Sequence, residues 1–383
     1  MFDVKTKNSS ATKAQLDLAK KFSSVMIIGP AFDDKLIKII VHLFTPEEAE
    51  VARLLPFVVP RSYKAIARKA RRPVEEIKGM LEKMNEKRVI FRLGDKYSII
   101  PLIPGVFEYL FFKGRDDEWI REFARLLDEL IDSGYFWRYT RFKSGLPSIR
   151  YVPVNNPVDA KSRIVDDDFM AKAIEHHDDI AIINVCQCRQ HHTFLGEACK
   201  YGGTPQDGCI WFGMFARWAV EDGSARKVTK DEVREHLAQG KKKNLVCMTI
   251  NASPESDLMV CLCCECCCHI FKVVNDFGGK KIIAEPHYLA SVDNALCNHC
   301  GTCGKICHTS AHLMENKTHL FNIENCVGCG VCVESCKKNA IRMIPNPRYK
   351  KPPKSFNGLV MSLAPKAIMN TIKTTTYEKI LKR

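Results

Sequence analysis

Cys297, Cys300, Cys303 and Cys307 spell C-x2-C-x2-C-x3-C, and Cys326, Cys329, Cys332 and Cys336 spell it again. Each residue is shifted by one constant offset, which Ala311 and Ala340 share. Three thiolates spaced by two residues can wrap one face of an iron–sulfur cube. The fourth Cys of each run lies too far along to close its own cube and reaches the other one. The expected ligand sets are therefore Cys297, Cys300, Cys303 and Cys336 for one [4Fe–4S] cluster, and Cys326, Cys329, Cys332 and Cys307 for the second. Zinc and disulfides are the competing readings. Zinc is content with two C-x-x-C pairs and has no need of the duplicated run.

From Leu296 to Met343 this pattern resembles the bacterial two-cluster ferredoxin domain. Gly301, Gly304, Gly328 and Gly330 stand between ligands, where small residues let backbone approach a cluster. The chain departs from that family at one point: His308 and Lys337 occupy the positions where Pro usually follows the fourth Cys. That departure bears on the cluster potentials.

The chain has 19 cysteines, an odd number, in 383 residues. Disulfide frameworks belong to short secreted chains with even counts. The N-terminus MFDVKTKNSS lacks the apolar core of a signal peptide. Reduced thiols in a cytosol are the expectation. Residues 25–44 are apolar but broken by Pro30, Asp33, Asp34, Lys35 and Lys38, so no membrane span is expected there.

The other cysteines are grouped. Cys186 and Cys188 form C-x-C after the strand-like run IAIINV, and Cys199 and Cys209 follow. In CLCCECCC, six residues of eight are Cys: Cys261, Cys263, Cys264, Cys266, Cys267 and Cys268. Adjacent side chains on an extended chain point to opposite faces, so neither group wraps one metal alone, but together they can. Free thiols at this density would be an oxidation hazard, which favours ligation. A further iron–sulfur cluster is expected, with zinc as the alternative metal. Cys186, Cys188, Cys199 and Cys209 are the simplest ligand set. A fourth cluster in CLCCECCC, cubane or not, stays open, and Cys247 is left outside the pattern. From Asn184 to Met343, including RKVTKDEVREHLAQGKKKNLV, the chain resembles ferredoxin-domain proteins of anaerobic bacteria and archaea with an upstream C-x-C-R and CxCCxCC-like segment. The resemblance implies redox chemistry and names no substrate.

His176, His177, His191 and His192 lie nearby, where packing competes with a ligand role. Arg189 can face cluster sulfur or a carboxylate substrate, though a plain salt bridge is the first expectation.

No Cys precedes Cys186. Residues 46–56 read as a helix with Pro46 in its first turn. Ser62 is a fitting N-cap for 62–70. Residues 73–86 place Val74, Ile77, Leu81 and Met84 on one face. VIFRL, GDK and YSIIPL read as a hairpin. Together these resemble a winged helix over 41–102. Residues 116–132 form a further amphipathic helix, with Trp119, Phe123, Leu126, Leu127 and Leu130 inward. Arg61, Lys64, Arg68, Lys69, Arg71 and Arg72 suit phosphate contact. The third helix carries few residues that read bases, and winged helices also serve as docking units.

The net charge is +14. After Glu334 the only acidic residue is Glu378. NPRYKKPPKSFNG reads as an extended linker, followed by an amphipathic stretch interrupted by Pro365. Such a tail can meet an acidic redox partner, an anionic membrane surface or nucleic acid, or pack on its own protein.

The expected fold is α+β and multi-domain. It runs through an N-terminal segment (1–40), a winged-helix-like module (41–102), a helical connection (103–180), a Cys-rich α/β region (181–290), a two-cluster ferredoxin-like domain (291–345) and a basic tail (346–383). No GxxxxGK, GxGxxG or C-x3-C-x2-C motif occurs. An electron-transfer protein or subunit of an anaerobic oxidoreductase system is therefore expected. The alternatives are a redox-sensing DNA-binding regulator and an oxidoreductase whose substrate sits in the Cys-rich region.

Overall fold

The computed structural model describes residues 11–57, 59–140, 146–153 and 169–381. The chain divides into two compact units: residues 1–142 with 194–196 and 368–383, and residues 143–193 with 197–367. Helix and sheet are mixed, with antiparallel pairing throughout the named strands.

In the first unit, helix starts follow the capping chemistry of the sequence. Thr12 with Gln15 and Thr45 with Glu48 form capping boxes, and Pro46 opens the helix Pro46–Ala52. That helix is shorter than the expected 46–56. Leu54 and Leu55 close tight turns onto Val51 and Ala52, and Pro56 steers the residue before it away from helix. Ser62 accepts from the Ala65 N–H and caps Tyr63–Ala70. Val74–Glu86 follows, burying Ile77, Leu81 and Met84 while Val74 stays exposed. Phe91–Leu93 and Lys96–Ser98 pair as a hairpin through Gly94, whose positive φ the tight turn requires. Arg61–Ser62 adds a third strand against Lys96–Tyr97.

In the apolar run 25–44, a short 3-10 turn, Val25–Ile27, with Met26 exposed, precedes the helix Asp34–Leu43, which is started by Asp33 and buries Leu36, Ile37, Ile39, Ile40 and Leu43. In Glu118–Asp132 the inward face is Ile120, Phe123, Ala124, Leu127, Leu130 and Ile131. Trp119 and Leu126 lie at its margin, with Trp119 stacked on His42.

In the second unit a six-stranded sheet runs in the spatial order Ile149–Val152, Val246–Ile250, Met259–Cys263, Ile210–Phe212, Ile180–Ile183, Ala225–Lys227. This corrects the α/β expectation. A buried apolar run such as IAII fixes burial but not strand direction, and here every neighbour is antiparallel. One face carries a core that includes Cys247, Val260 and Leu262. The other carries Tyr151, Val246, Met248, Cys263 and Phe271.

Beyond this sheet, Tyr288–Val292 pairs with Ile341–Pro345, and His312–Glu315 pairs with Thr318–Phe321. The short helices Thr302–Ile306 and Val331–Ser335 start after Gly301 and Gly330, both in the left-handed region.

The stretch 346–355 is extended as expected but is docked within the second unit. Tyr349 stacks on His287, Arg150 donates to the Lys350 carbonyl, and the Ser253 N–H donates to Pro353. Phe356–Leu381 is one helix that contains Pro365, with Val360, Met361, Ile368, Met369 and Ile372 exposed. In the first unit, Glu378 receives Arg138.

Leu81 is fully buried. Leu81→Ala is expected to cost the first unit about 2–5 kcal/mol of stability in denaturant unfolding, because the cavity cannot fully collapse. A loss below about 1 kcal/mol would contradict this packing.

Candidate metal centres

Cys297, Cys300, Cys303 and Cys336 line one small surface cavity, which Gly301 and His319 help to enclose. Cys300 is exposed and Cys303 buried. The repeat's other side is more enclosed. Burial pushes the Cys329 thiol up to about 12, and Cys326 and Cys307 beside it push the same way. Cys332 is also raised by burial, with Cys329, Cys326 and Cys307 as neighbours. Cys307 accepts the Ala311 N–H at 3.2 Å. In the structure, then, Cys336 faces the cysteines of the first run, and Cys307 faces those of the second. A thiol whose proton is favoured by burial becomes a thiolate readily only when a cation replaces that proton.

The sheet sorts the remaining cysteines. Cys261 and Cys263 are two apart on one strand and share a face, opposite Met248 and Val246. Leu262 faces the other core. The chain then turns, with the Cys268 N–H donating to the Cys264 carbonyl, and Cys268 precedes the helix His269–Asn275. That turn puts Cys264, Cys266 and Cys267 with Cys199, all four sulfurs lying within 4.8 Å of one another. The Cys199–Cys264, Cys199–Cys266 and Cys266–Cys267 Sγ separations are 3.5, 3.8 and 3.7 Å.

A second sulfur group forms beside the first. Cys209 Sγ lies 3.1 Å from Cys261 Sγ. Cys263 neighbours Cys261 and Cys268, and Cys268 neighbours Cys188. Cys186 neighbours Cys261 and Cys268. The simplest grouping from spacing, Cys186, Cys188, Cys199 and Cys209, is thus divided: Cys199 stands in one group and the other three in the second. Cys247 belongs to neither group; it is fully buried among apolar residues, and burial pushes its thiol up to about 12.

Arg189 follows Cys188 and is 3% exposed. It donates to the Asp207 and Leu262 carbonyls at 3.1 and 2.6 Å and approaches Cys264 Sγ at 3.8 Å. The Asp207 carboxylate is bonded by Lys243. Among the described residues Arg189 makes no direct salt bridge, though the Asp207 carboxylate lies near enough to feel its charge. Arg189 sets a buried positive charge beside Cys186, Cys264, Cys263 and Cys199. A buried cation of this kind demands an anion, and thiolates bound to metal supply one.

Among the described residues, none of His176, His177, His191 and His192 joins a close thiol group. His177 packs on Phe212, and His191 packs against His269. Three other groups escape a reading by spacing. His308, buried, meets the Asn244 carbonyl with Nε2 at 2.8 Å and the Glu265 carboxylate with Nδ1 at 2.7 Å. Its ring packs on Tyr201 and Phe271. His312 and His319 meet at 2.9 Å beside Cys303. The Tyr151 hydroxyl is buried without a hydrogen-bond partner among the described residues. Only His308 left a trace in the sequence, as the residue standing where Pro was expected.

Gly203 packs against this region. A methyl group there would lie 2.5 Å from Arg189 Nε and 3.2 Å from Cys199 Sγ. Gly203→Ala is expected to cost about 1–3 kcal/mol and to weaken any metal binding by the Cys199 group, read by melting and by metal analysis. Unchanged metal and stability would contradict the packing.

A family model described as a 4Fe-4S dicluster domain matches residues 289–337. The dihydromethanopterin reductase (acceptor) of Methanosarcina mazei is 32% identical over 111 residues, covering 26% of this chain and 45% of that protein. The chain thus spans under half the length of this relative. No helix among the described residues is long and apolar enough to cross a membrane. The C-terminal part of the chain carries a ferredoxin-like 4Fe-4S dicluster domain.

Proposed function

We propose that this protein is an iron–sulfur electron carrier, or the electron-transfer subunit of an oxidoreductase system. One [4Fe–4S] cluster is held by Cys297, Cys300, Cys303 and Cys336. The other is held by Cys326, Cys329, Cys332 and Cys307. A further metal centre is held by Cys199, Cys264, Cys266 and Cys267. The observation that carries this reading is that Cys336 lines a cavity with Cys297, Cys300 and Cys303, within the segment that matches a dicluster domain; it supports an exchange of fourth cysteines between the two runs. It is supported by a relative whose name describes a reductase that uses an acceptor.

The clusters, when bound, supply one-electron redox chemistry over a wide range of potentials. The chain's own residues set the surroundings. Cys300 is exposed, so the first set faces solvent, where a partner can approach. The second set is enclosed by Val327, Val331 and Phe271, which exclude water. Arg189 adds positive charge beside the Cys199 group.

The partner is proposed to be a redox protein with an acidic face, met by the basic C-terminal part of the chain, in the cytosol. A redox-sensing, DNA-binding role is the second reading. It rests on the helix, short strand, two helices and hairpin of residues 46–98, with Arg61, Lys64, Arg68 and Lys69 near their start. A salt-sensitive electrophoretic shift with genomic fragments would favour it, and its absence would remove it.

Cys307→Ala tests the main reading. Anaerobically purified and reduced, the variant is expected to lose the paramagnetic signal of the Cys326 cluster and keep that of the Cys297 cluster. The reverse loss would overturn the ligand assignment. Zinc in place of iron in the wild-type protein would overturn the electron-transfer reading itself.

A further inference from the structure

Apart from Cys247, which belongs to neither group, the Cys199 group leaves six cysteines of the Cys-rich region unused: Cys186, Cys188, Cys209, Cys261, Cys263 and Cys268. The structure gathers them into one neighbourhood: Cys209 Sγ lies 3.1 Å from Cys261 Sγ, Cys263 and Cys268 follow as neighbours, and Cys188 and Cys186 lie beside Cys268. They come from three places in the chain. Cys186 and Cys188 stand at the start of the helix Gln187–Phe194, Cys209 just before the strand Ile210–Phe212, and Cys261, Cys263 and Cys268 on and after the strand Met259–Cys263. Cys186, Cys209, Cys263 and Cys268 are each less than a tenth exposed.

We infer that these six cysteines form a second metal centre of the Cys-rich region, distinct from the Cys199 group and built for a polynuclear iron–sulfur cluster with more than four thiolate ligands. Two metal centres, not one, then occupy CLCCECCC. The strand divides them. Cys263 packs in the core that contains Tyr151 and Phe271, whereas Cys264 and Cys267 pack in the core on the other face. Adjacent residues of an extended chain diverge in this way, so a single metal cannot take Cys263 and Cys264 together while the strand stays intact.

Ligand number decides the class. One zinc takes four ligands in a tetrahedron. A cubane takes four thiolates, one per iron. Six thiolates exceed both, so the centre either contains further irons or has irons that carry more than one thiolate each. Two observations independent of the cysteines point to a bound anionic group. The Tyr151 hydroxyl, on a residue 2% exposed, has no hydrogen-bond partner among the described residues, and the residue lies beside Cys268, Cys263 and Cys261. Cluster sulfur or thiolate is the acceptor it lacks. Arg189 places its buried charge beside Cys186 and Cys263 as well as the Cys199 group, and the nearby Asp207 carboxylate is hydrogen-bonded by Lys243. Tyr151 also neighbours Cys329, so the six-cysteine centre and the second ferredoxin cluster share one apolar wall.

This inference rests on the iron–sulfur reading above, but the test separates the two. The full chain is purified anaerobically, and iron, acid-labile sulfide and zinc are measured with Mössbauer spectra. The wild type is expected to hold about eight irons in the dicluster domain and four or more at the six-cysteine set, besides the metal at Cys199. About eight irons in all, about twelve with no zinc, or zinc at the six-cysteine set, would overturn the inference and leave the dicluster reading standing. Cys209→Ala with Cys261→Ala should remove four or more irons, and Cys199→Ala with Cys266→Ala the metal at Cys199. The losses should add when the pairs are combined. Equal, non-additive losses would mean one shared centre and would also overturn it. The reduced dicluster signal serves as the control for folding in each variant. If both variants unfold, the wild-type iron content and Mössbauer spectrum still decide.

Discussion

The alternation of side chains along one strand governs the chemistry of the second unit. Met259–Cys263 pairs with Val246–Ile250 in a fixed register, with Val246 opposite Cys263 and Met248 opposite Cys261. Shifting that register by one residue would exchange the faces of Cys261 and Cys263 with that of Leu262. It would bury two thiols where Leu262 and Val260 now pack, and turn Leu262 toward the sulfur group. The register is held by apolar cores on both faces of the sheet. The placement of the cysteines therefore follows from ordinary hydrophobic packing rather than from any local preference of a Cys-rich segment.

Buried thiols and buried cations also constrain each other. Burial favours the neutral thiol at Cys186, and it disfavours a charged guanidinium at Arg189 beside it. Each would be costly alone. Thiolates held by metal beside Arg189 offset both costs, since charge-assisted contacts gain strength where water is excluded. His308 extends this economy into the dicluster domain. It follows Cys307 and, through Glu265, grips the turn between Cys264 and Cys266. A proline at that position would offer no such side chain. The departure from the ferredoxin pattern is thus a structural joint between the dicluster domain and the Cys-rich segment.

The duplicated spacing made the dicluster domain legible, because the spacing is itself the geometry of the site. The helix starts at Pro46 and after Ser62 were legible for the same reason, since such signals are local. The grouping of the upstream cysteines was not. Cys199 and Cys264, or Cys209 and Cys261, meet only through sheet pairing, and spacing carries no information on which strands become neighbours. Strand direction was illegible too, as an apolar run such as IAII looks alike in parallel and antiparallel sheets. The docking of 346–355 depends on Arg150, Ser253 and His287, which lie far back in the sequence. Arg189 was expected in a salt bridge because its sequence neighbours show nothing of the carbonyls and sulfurs that surround it.

The central claim is that sulfur ligands are sorted into separate centres by the fold. It is tested most directly by anomalous diffraction at the iron edge, on crystals grown without oxygen. The account predicts separate metal peaks inside the Cys297, Cys326 and Cys199 sets and among Cys186, Cys188, Cys209, Cys261, Cys263 and Cys268. A single iron site drawing on both Cys263 and Cys264, or iron absent from the Cys-rich region altogether, would contradict it.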